Sequence, residues 1–183
     1  MNEFELKILD FISEKIACPF LDAIFPVITA FGDGGIFWIA IAVVFLIFRK
    51  TRKTGLSVGL ALLTGFIIGN LILKNVIART RPYDINEVTL LVEKLSDYSF
   101  PSGHTLASFE AATVLFIRDK RFGIPALVLA SLIALSRLYL YVHYPTDVLT
   151  GMVLGIVIAI FACKIIDKAE NPSHKIGFGF YKK

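Results

Sequence analysis

Cysteine is scarce in this chain. Only Cys18 and Cys163 occur, near opposite ends, and neither belongs to a CxxC pair. A disulfide framework and a thiolate metal knot are therefore not expected. Charge is scarce too: Asp, Glu, Lys and Arg make up 19% of the residues, and they cluster instead of spreading evenly. The opening residues, Met1-Asn2-Glu3-Phe4-Glu5, lack the basic start of a signal peptide, so insertion is expected to rely on internal helices. No stretch interleaves aromatic and basic residues, and the net charge of +4 is modest, so no nucleic-acid partner is expected. Internal repeats and low-complexity stretches are also missing.

Apolar residues fill the space. They reach 56%, and the mean hydropathy is +0.71. A soluble domain could not cover that much apolar surface, so a bilayer is the expected solvent. The 183 residues suggest one domain. Five apolar runs approach the roughly 20 residues that a bilayer requires. They are residues 34–49, 54–78, 103–118, 122–141 and 147–166. Within the second run, Gly55, Gly59, Gly65 and Gly69 offer small faces for close helix contact.

The first thirty residues read differently. Phe4, Ile8, Phe11, Ile12 and Ile16 recur at helical spacing, which predicts an amphipathic helix on the membrane surface. Residues 19–31 start at Pro19, contain Pro26 and stop before Gly32-Asp33-Gly34-Gly35. They predict a second interfacial or partly inserted helix; joined to the first segment, they would make one kinked span. The expected fold is an all-α polytopic membrane helix bundle with five to six transmembrane helices. Residues 1–31 are interfacial, residues 34–166 form the transmembrane core, and residues 167–183 form a cytoplasmic tail. The short connections Arg49-Lys50-Thr51-Arg52-Lys53 and Arg118-Asp119-Lys120-Arg121, and the tail ending Lys182-Lys183, fall on one side if five spans alternate. The positive-inside rule makes that side cytoplasmic. Residues 79–102 and the turn at 142–146 then face outward.

Three polar clusters collect on the outward side. The first runs from Lys74 to Arg81-Pro82. Seven residues are about two helical turns, so Lys74 and Arg81 are expected to share a helix face, with Pro82 ending the span. A lysine point charge and an arginine fork suit a phosphate. Alone, the pair reads equally as cations snorkelling to headgroups.

The second cluster is Pro101-Ser102-Gly103-His104, at the start of the third run. Ser102 is a good N-cap, and a helix N-terminus suits an anion. His104 falls in the first turn, where it could donate a proton. Alone, this reads as a capped helix after a loop. The third cluster is Ser136-Arg137, then His143-Tyr144-Pro145-Thr146-Asp147. His143 and Asp147 are four apart across a proline break, close enough for a carboxylate to fix the imidazole tautomer. A structural cap is the plain alternative. Ionisable groups near hydrocarbon are expensive, so three such clusters at one membrane level point to a phosphoryl-transfer site.

These residues resemble the type 2 phosphatidic acid phosphatase family, which shares its site design with vanadium-dependent haloperoxidases. The family pattern is Lys, six residues, Arg-Pro; then Pro-Ser-Gly-His; then Ser-Arg, five residues, His, three residues, Asp. Lys74 to Pro82, Pro101 to His104 and Ser136 to Asp147 match it without substitution. The N-terminal portion departs, since the family's membrane members often carry six spans.

The resemblance implies roles. His143 would attack phosphorus and form a phosphohistidine. Asp147 would orient it, and His104 would protonate the leaving oxygen. Lys74, Arg81 and Arg137, with Ser102 and the Gly103 amide, would hold the phosphate oxygens. It implies no metal and no cofactor. The expected activity is that of a membrane lipid phosphatase, with a lipid phosphate entering sideways from the bilayer. Undecaprenyl diphosphate is the leading substrate, and phosphatidylglycerophosphate or phosphatidic acid are alternatives. A bacterial plasma membrane is the expected home, with the site on the extracytoplasmic side. A non-catalytic lipid-binding or scrambling module is the reading from another class.

Two features lie outside the motifs. Glu110, about two turns from His104, calls for a polar partner at that depth, and Asn70 is the expected one. Trp38 and Tyr83, Tyr98, Tyr139, Tyr141 and Tyr144 crowd the outer half and predict an interfacial aromatic belt.

Overall fold

A computed structural model describes residues 2–170. The expected tail therefore lies, beyond residue 170, outside the described residues. Among the described residues there are helices and no strands. They are α1 (Asn2–Phe11), α2 (Pro19–Ala30), α3 (Ile36–Ile47), α4 (Arg52–Gly65), α5 (Lys74–Ile77), α6 (Gly103–Arg118), α7 (Lys120–Tyr139) and α8 (Pro145–Glu170). A π-helical stretch, Phe66–Leu73, joins α4 to α5 in one long rod. Four segments are long and apolar enough to cross a membrane: Pro19–Ile47, Arg52–Asp84, Lys120–Tyr139 and Pro145–Ala169.

Helix α6 is the axis of the bundle. It packs against α7, α8 and α4, while α3 covers α4 and α2 covers α7. Ten of its residues are buried, including Ser108, Glu110 and Thr113. Close packing explains how a helix with so many polar groups sits at the centre. A Cβ at Gly151 would lie 2.8 Å from the Ser102 carbonyl oxygen, and one at Gly155 would lie 2.8 Å from that of Leu106. Glycine there lets α8 lie directly on the α6 backbone.

The glycines of α4 behave in part as expected. A Cβ on Gly55, Gly65 or Gly69 would strike Ala42, Glu110 or Leu106 respectively, whereas one on Gly59 would meet open space. At one end of the bundle three helices meet at Arg118, whose guanidinium donates to Asp167 of α8 at 2.7 Å and to Ser57 of α4 at 2.9 Å. At the other end lie Lys74, His104 and Asp147.

The N-terminal helices dock on that second end. α1 buries Glu5 and Leu9 against the protein and leaves Phe4 and Phe11 exposed. Leu9 joins Tyr83, Tyr139, Tyr141, Val142 and Tyr144 in a compact cluster. The aromatic belt is thus corrected. Four of its tyrosines are buried inside the protein, Trp38 is fully buried with its Nε1 donating to Ser108, and of the group only Tyr98 is exposed. The hydroxyls of Tyr83, Tyr139 and Tyr141 donate to the Leu95 carbonyl, Asp22 and Asp10, so they hold loops together instead of facing headgroups, while that of Tyr144 is buried without a partner.

Candidate active site

The rod α4–α5 ends abruptly. Ala78 is left-handed (φ 46°), and its N–H bonds the Lys74 carbonyl, so the helix stops at Ile77. Arg81 is therefore extended backbone beyond the helix (φ −76°, ψ 153°), not on the Lys74 face. The shared-face expectation is wrong, because the helix ends at Ile77, five residues before Pro82. The two cations still converge, but through a third residue. Asp97, in the loop before α6, accepts from Lys74 Nζ through one carboxylate oxygen and from Arg81 Nη2 at 2.5 Å through the other. Its carbonyl also accepts from Arg81 Nε at 2.8 Å. Burial pushes the Asp97 carboxyl up, but Lys74 and Arg81 outweigh it and hold it at about 2.

The start of α6 is built as the sequence suggests. Ser102 caps it, accepting from the Thr105 hydroxyl at 3.0 Å. The Ser102 N–H donates to the Asp147 carbonyl at 3.1 Å, which ties the first turn of α6 to the first turn of α8. His104 then points at the glycine-rich corner between α2 and α3. Its Nε2 lies 2.7 Å from Asp33 Oδ1. Gly32 lies against the ring, where a Cβ would come within 2.5 Å of Cδ2.

His143 sits in the turn between α7 and α8, fully enclosed. Its Nδ1 lies 3.5 Å from Asp147 Oδ2 and 3.4 Å from Ser99 Oγ. Its Nε2 lies 3.4 Å from Arg81 Nη1. Asp147 Oδ2 accepts from the Ser99 hydroxyl at 2.5 Å and from the Tyr144 N–H at 3.0 Å, and Oδ1 accepts from Arg79 at 2.5 Å. Burial lowers the His143 pKa first, and the charges of Arg81, Arg137 and Lys74 lower it further. Both effects favour the neutral ring, and a proton on Nδ1 would face Asp147 and Ser99 and leave the Nε2 lone pair toward Arg81.

One cavity of about 850 Å³ unites these groups. Lys74, Arg81, Gly103, His104 and His143 line its polar end. Ser102, Arg137 and Asp147 stand behind them, each almost fully buried. Arg137 donates to Thr29 of α2, so it braces the wall instead of standing in the opening. An apolar arm continues between α3, α4 and α6, past Ile39, Val43, Leu46, Leu63 and Phe66.

The expected Glu110–Asn70 pairing is not made: Glu110 Oε1 and Asn70 Oδ1 are both buried without a partner. The Glu110 carboxyl instead fills the notch over Gly65. Sequence reasoning also missed Glu5, Asp33, Asp97 and Ser99, whose contacts cross long loops. Among the described residues, no three His, Cys, Asp or Glu side chains stand together as a metal site needs.

The family profile of the PAP2 superfamily matches residues 52–170. An undecaprenyl-diphosphatase of Sulfolobus acidocaldarius is 36% identical over 141 residues, covering 76% of this chain and 67% of that protein. The crystal structure of Aquifex aeolicus LpxE superposes with a TM-score of 0.75 at 30% identity, covering 87% of this chain and 94% of that one. A transmembrane PAP2 type phosphatidylglycerolphosphate phosphatase from Bacillus subtilis gives a TM-score of 0.73 at 29% identity, covering 97% and 89%.

Proposed function

Because the chain belongs to the PAP2 superfamily and is a membrane lipid phosphatase, we propose that it cleaves a prenyl diphosphate, with undecaprenyl diphosphate as the leading substrate, through a phosphohistidine on His143. The observation that carries the mechanism is the orientation of one ring: Nδ1 of His143 faces Asp147, and Nε2 faces Arg81 at the polar end of the cavity. Nε2 attacks phosphorus in line with the departing oxygen. The bond from phosphorus to that oxygen breaks, and His104 supplies the proton. Water then attacks the phosphohistidine, His104 takes up the water's proton, and inorganic phosphate leaves. Lys74, Arg81 and the Gly103 amide hold the phosphoryl oxygens, while Arg137 and Ser102 fix the wall behind them. The negative charge is met by fixed cations, and no step calls for a metal. Phosphatidylglycerophosphate and phosphatidic acid remain the alternative substrates; the apolar arm and the Sulfolobus relative favour a prenyl tail.

For topology, the reading is that α3, the α4–α5 rod, α6, α7 and α8 cross the bilayer, as one domain. α1 and α2 then lie at the outer surface. Asp22 accepts from the Tyr139 hydroxyl, and Thr29, roughly 10 Å further along α2, accepts from Arg137. Two contacts so far apart on α2 reach one turn of α7, which supports α2 lying across it. The exposed Phe4 and Phe11 of α1 suit the headgroup boundary. The basic connections near Arg49 and Arg118 support a cytoplasmic inner side and an extracytoplasmic site.

The test is phosphate release in detergent from a panel of prenyl diphosphates, phosphatidylglycerophosphate and phosphatidic acid. His143→Ala and His104→Ala are expected to lose at least about 1,000-fold in kcat, and EDTA to leave the rate unchanged. Retained release in His143→Ala would overturn the nucleophile, and strong metal dependence would overturn the mechanism. A non-catalytic binding or scrambling module predicts lipid binding without release; the family match and the paired imidazoles weigh against it.

A further inference from the structure

The motif residues do not account for Arg79. It lies two residues before Arg81, and its half-buried guanidinium is stacked 3.8 Å from the Tyr144 ring centroid. Nη1 donates to Asp147 Oδ1 at 2.5 Å and to the Thr146 hydroxyl at 2.7 Å. Nη2 donates to Glu5 Oε2 at 2.5 Å. The other oxygen of Glu5 accepts from the Thr146 N–H at 2.9 Å and from its hydroxyl at 2.7 Å. Glu5 is 4% exposed, on a helix whose neighbouring positions Glu3, Phe4 and Lys7 are exposed.

We propose that Glu5 of α1 is a positioning residue for the reaction, acting through Arg79 to set the place and the effective charge of Asp147 behind His143. The charge arithmetic explains why three ionised groups stand in line. A half-buried arginine touching Asp147 alone would offset the negative charge that the imidazole needs once it carries phosphate. Glu5 restores it: two carboxylates and one guanidinium leave one net negative charge. The geometry serves the same end. Arg79 holds Oδ1, so Oδ2 stays turned to Ser99, the Tyr144 N–H and His143. The N-terminal helix is thereby part of the machinery, although it lies more than sixty residues before the first motif.

A merely structural role for Glu5, capping the first turn of α8, would change yield and stability but not the ionisation of His143. The acid limb of kcat/KM against pH reads that ionisation, because His143 must be neutral to attack. Arg79 disfavours a protonated His143, so Arg79→Gln is expected to move the acid limb up by about one pH unit. Glu5 opposes Arg79, so Glu5→Gln is expected to move it down by about half a unit. Arg79→Lys, which keeps the charge, is expected to leave the limb near its original place. The other charged groups around His143 are Lys74 and Arg81 with Asp97, His104 with Asp33, and Arg137, and each is unchanged in every variant. If Glu5→Gln does not accumulate as folded protein, Glu5→Asp is read instead. Its shorter arm loosens the contact to Arg79 and shifts the limb the same way, by less.

Opposite shifts for the two positions support the proposal. A limb that stays still in active protein, or shifts in one common direction, overturns it and leaves Glu5 as a cap. The inference rests on His143 as nucleophile. Phosphate release in His143→Ala removes that reading whatever the limbs do; an inactive His143→Ala with unmoved limbs removes this inference alone.

Discussion

Helix α3 consists wholly of apolar residues, yet Trp38 and Ala42 are its buried members. Helix α6 carries Thr105, Ser108, Glu110 and Thr113, and all four are buried. In water that contrast would be backwards. In a bilayer an apolar side chain is content facing lipid, whereas a polar one needs protein or a water-filled cleft. Hydropathy along this chain therefore reports contact with lipid, not depth inside the protein. Helix α6, with His104 in its first turn, is one that hydropathy describes poorly, and at sixteen residues it is short of a comfortable span.

Substitutions can sharpen that contrast. The largest effect is expected at the α6–α8 contact. Gly155→Leu would drive a side chain into the Leu106 carbonyl and the Glu110 N–H, and should cost about 3 kcal/mol with a matching loss of activity. Thermal unfolding in detergent measures it, and an unchanged Tm would break the picture of α6 as a tightly gripped axis. A smaller effect is expected at Ser108→Ala, which strips the acceptor from the buried Trp38 Nε1 and should cost about 1–2 kcal/mol. Tryptophan fluorescence would follow the same melt. The smallest effect is expected on the lipid side of α3: Val44→Ala, at a position 51% exposed, should stay within about 0.5 kcal/mol. If Val44→Ala destabilised as much as Ser108→Ala, α3 would be core and the comparison would fail.

Much of the site was readable because it sits where helices begin and end. Prolines, the Ser102 cap and the spacing of His143 to Asp147 mark those ends, and local rules describe them well. Lys74, Arg81, His104 and His143 do come together around one cavity. What was not readable lies in contacts without a local pattern. Asp33 reaches His104 across 71 residues, Ser99 reaches Asp147 across 48, and Glu5 reaches Thr146 across 141. Arg81 was misplaced on a helix because nothing in the run before Pro82 signals a left-handed Ala78. The stripe read from Phe4 and Phe11 is the exposed side of α1, whereas the side that docks is marked by Glu5 and Leu9. A carboxylate on a docking face looks like a solvated charge until its arginine is known.

Asp147 is more than a partner for an imidazole. Its carbonyl receives the Ser102 amide, its carboxylate gathers Ser99, Tyr144 and Arg79, and its neighbour Thr146 anchors the first helix. Four stretches of chain, at Glu5, at Arg79, at Ser99 to Ser102 and at Tyr144 to Asp147, thus meet at this corner. A corner shared in this way loosens as a unit, so heat should silence this enzyme and undo that end of the bundle in the same event.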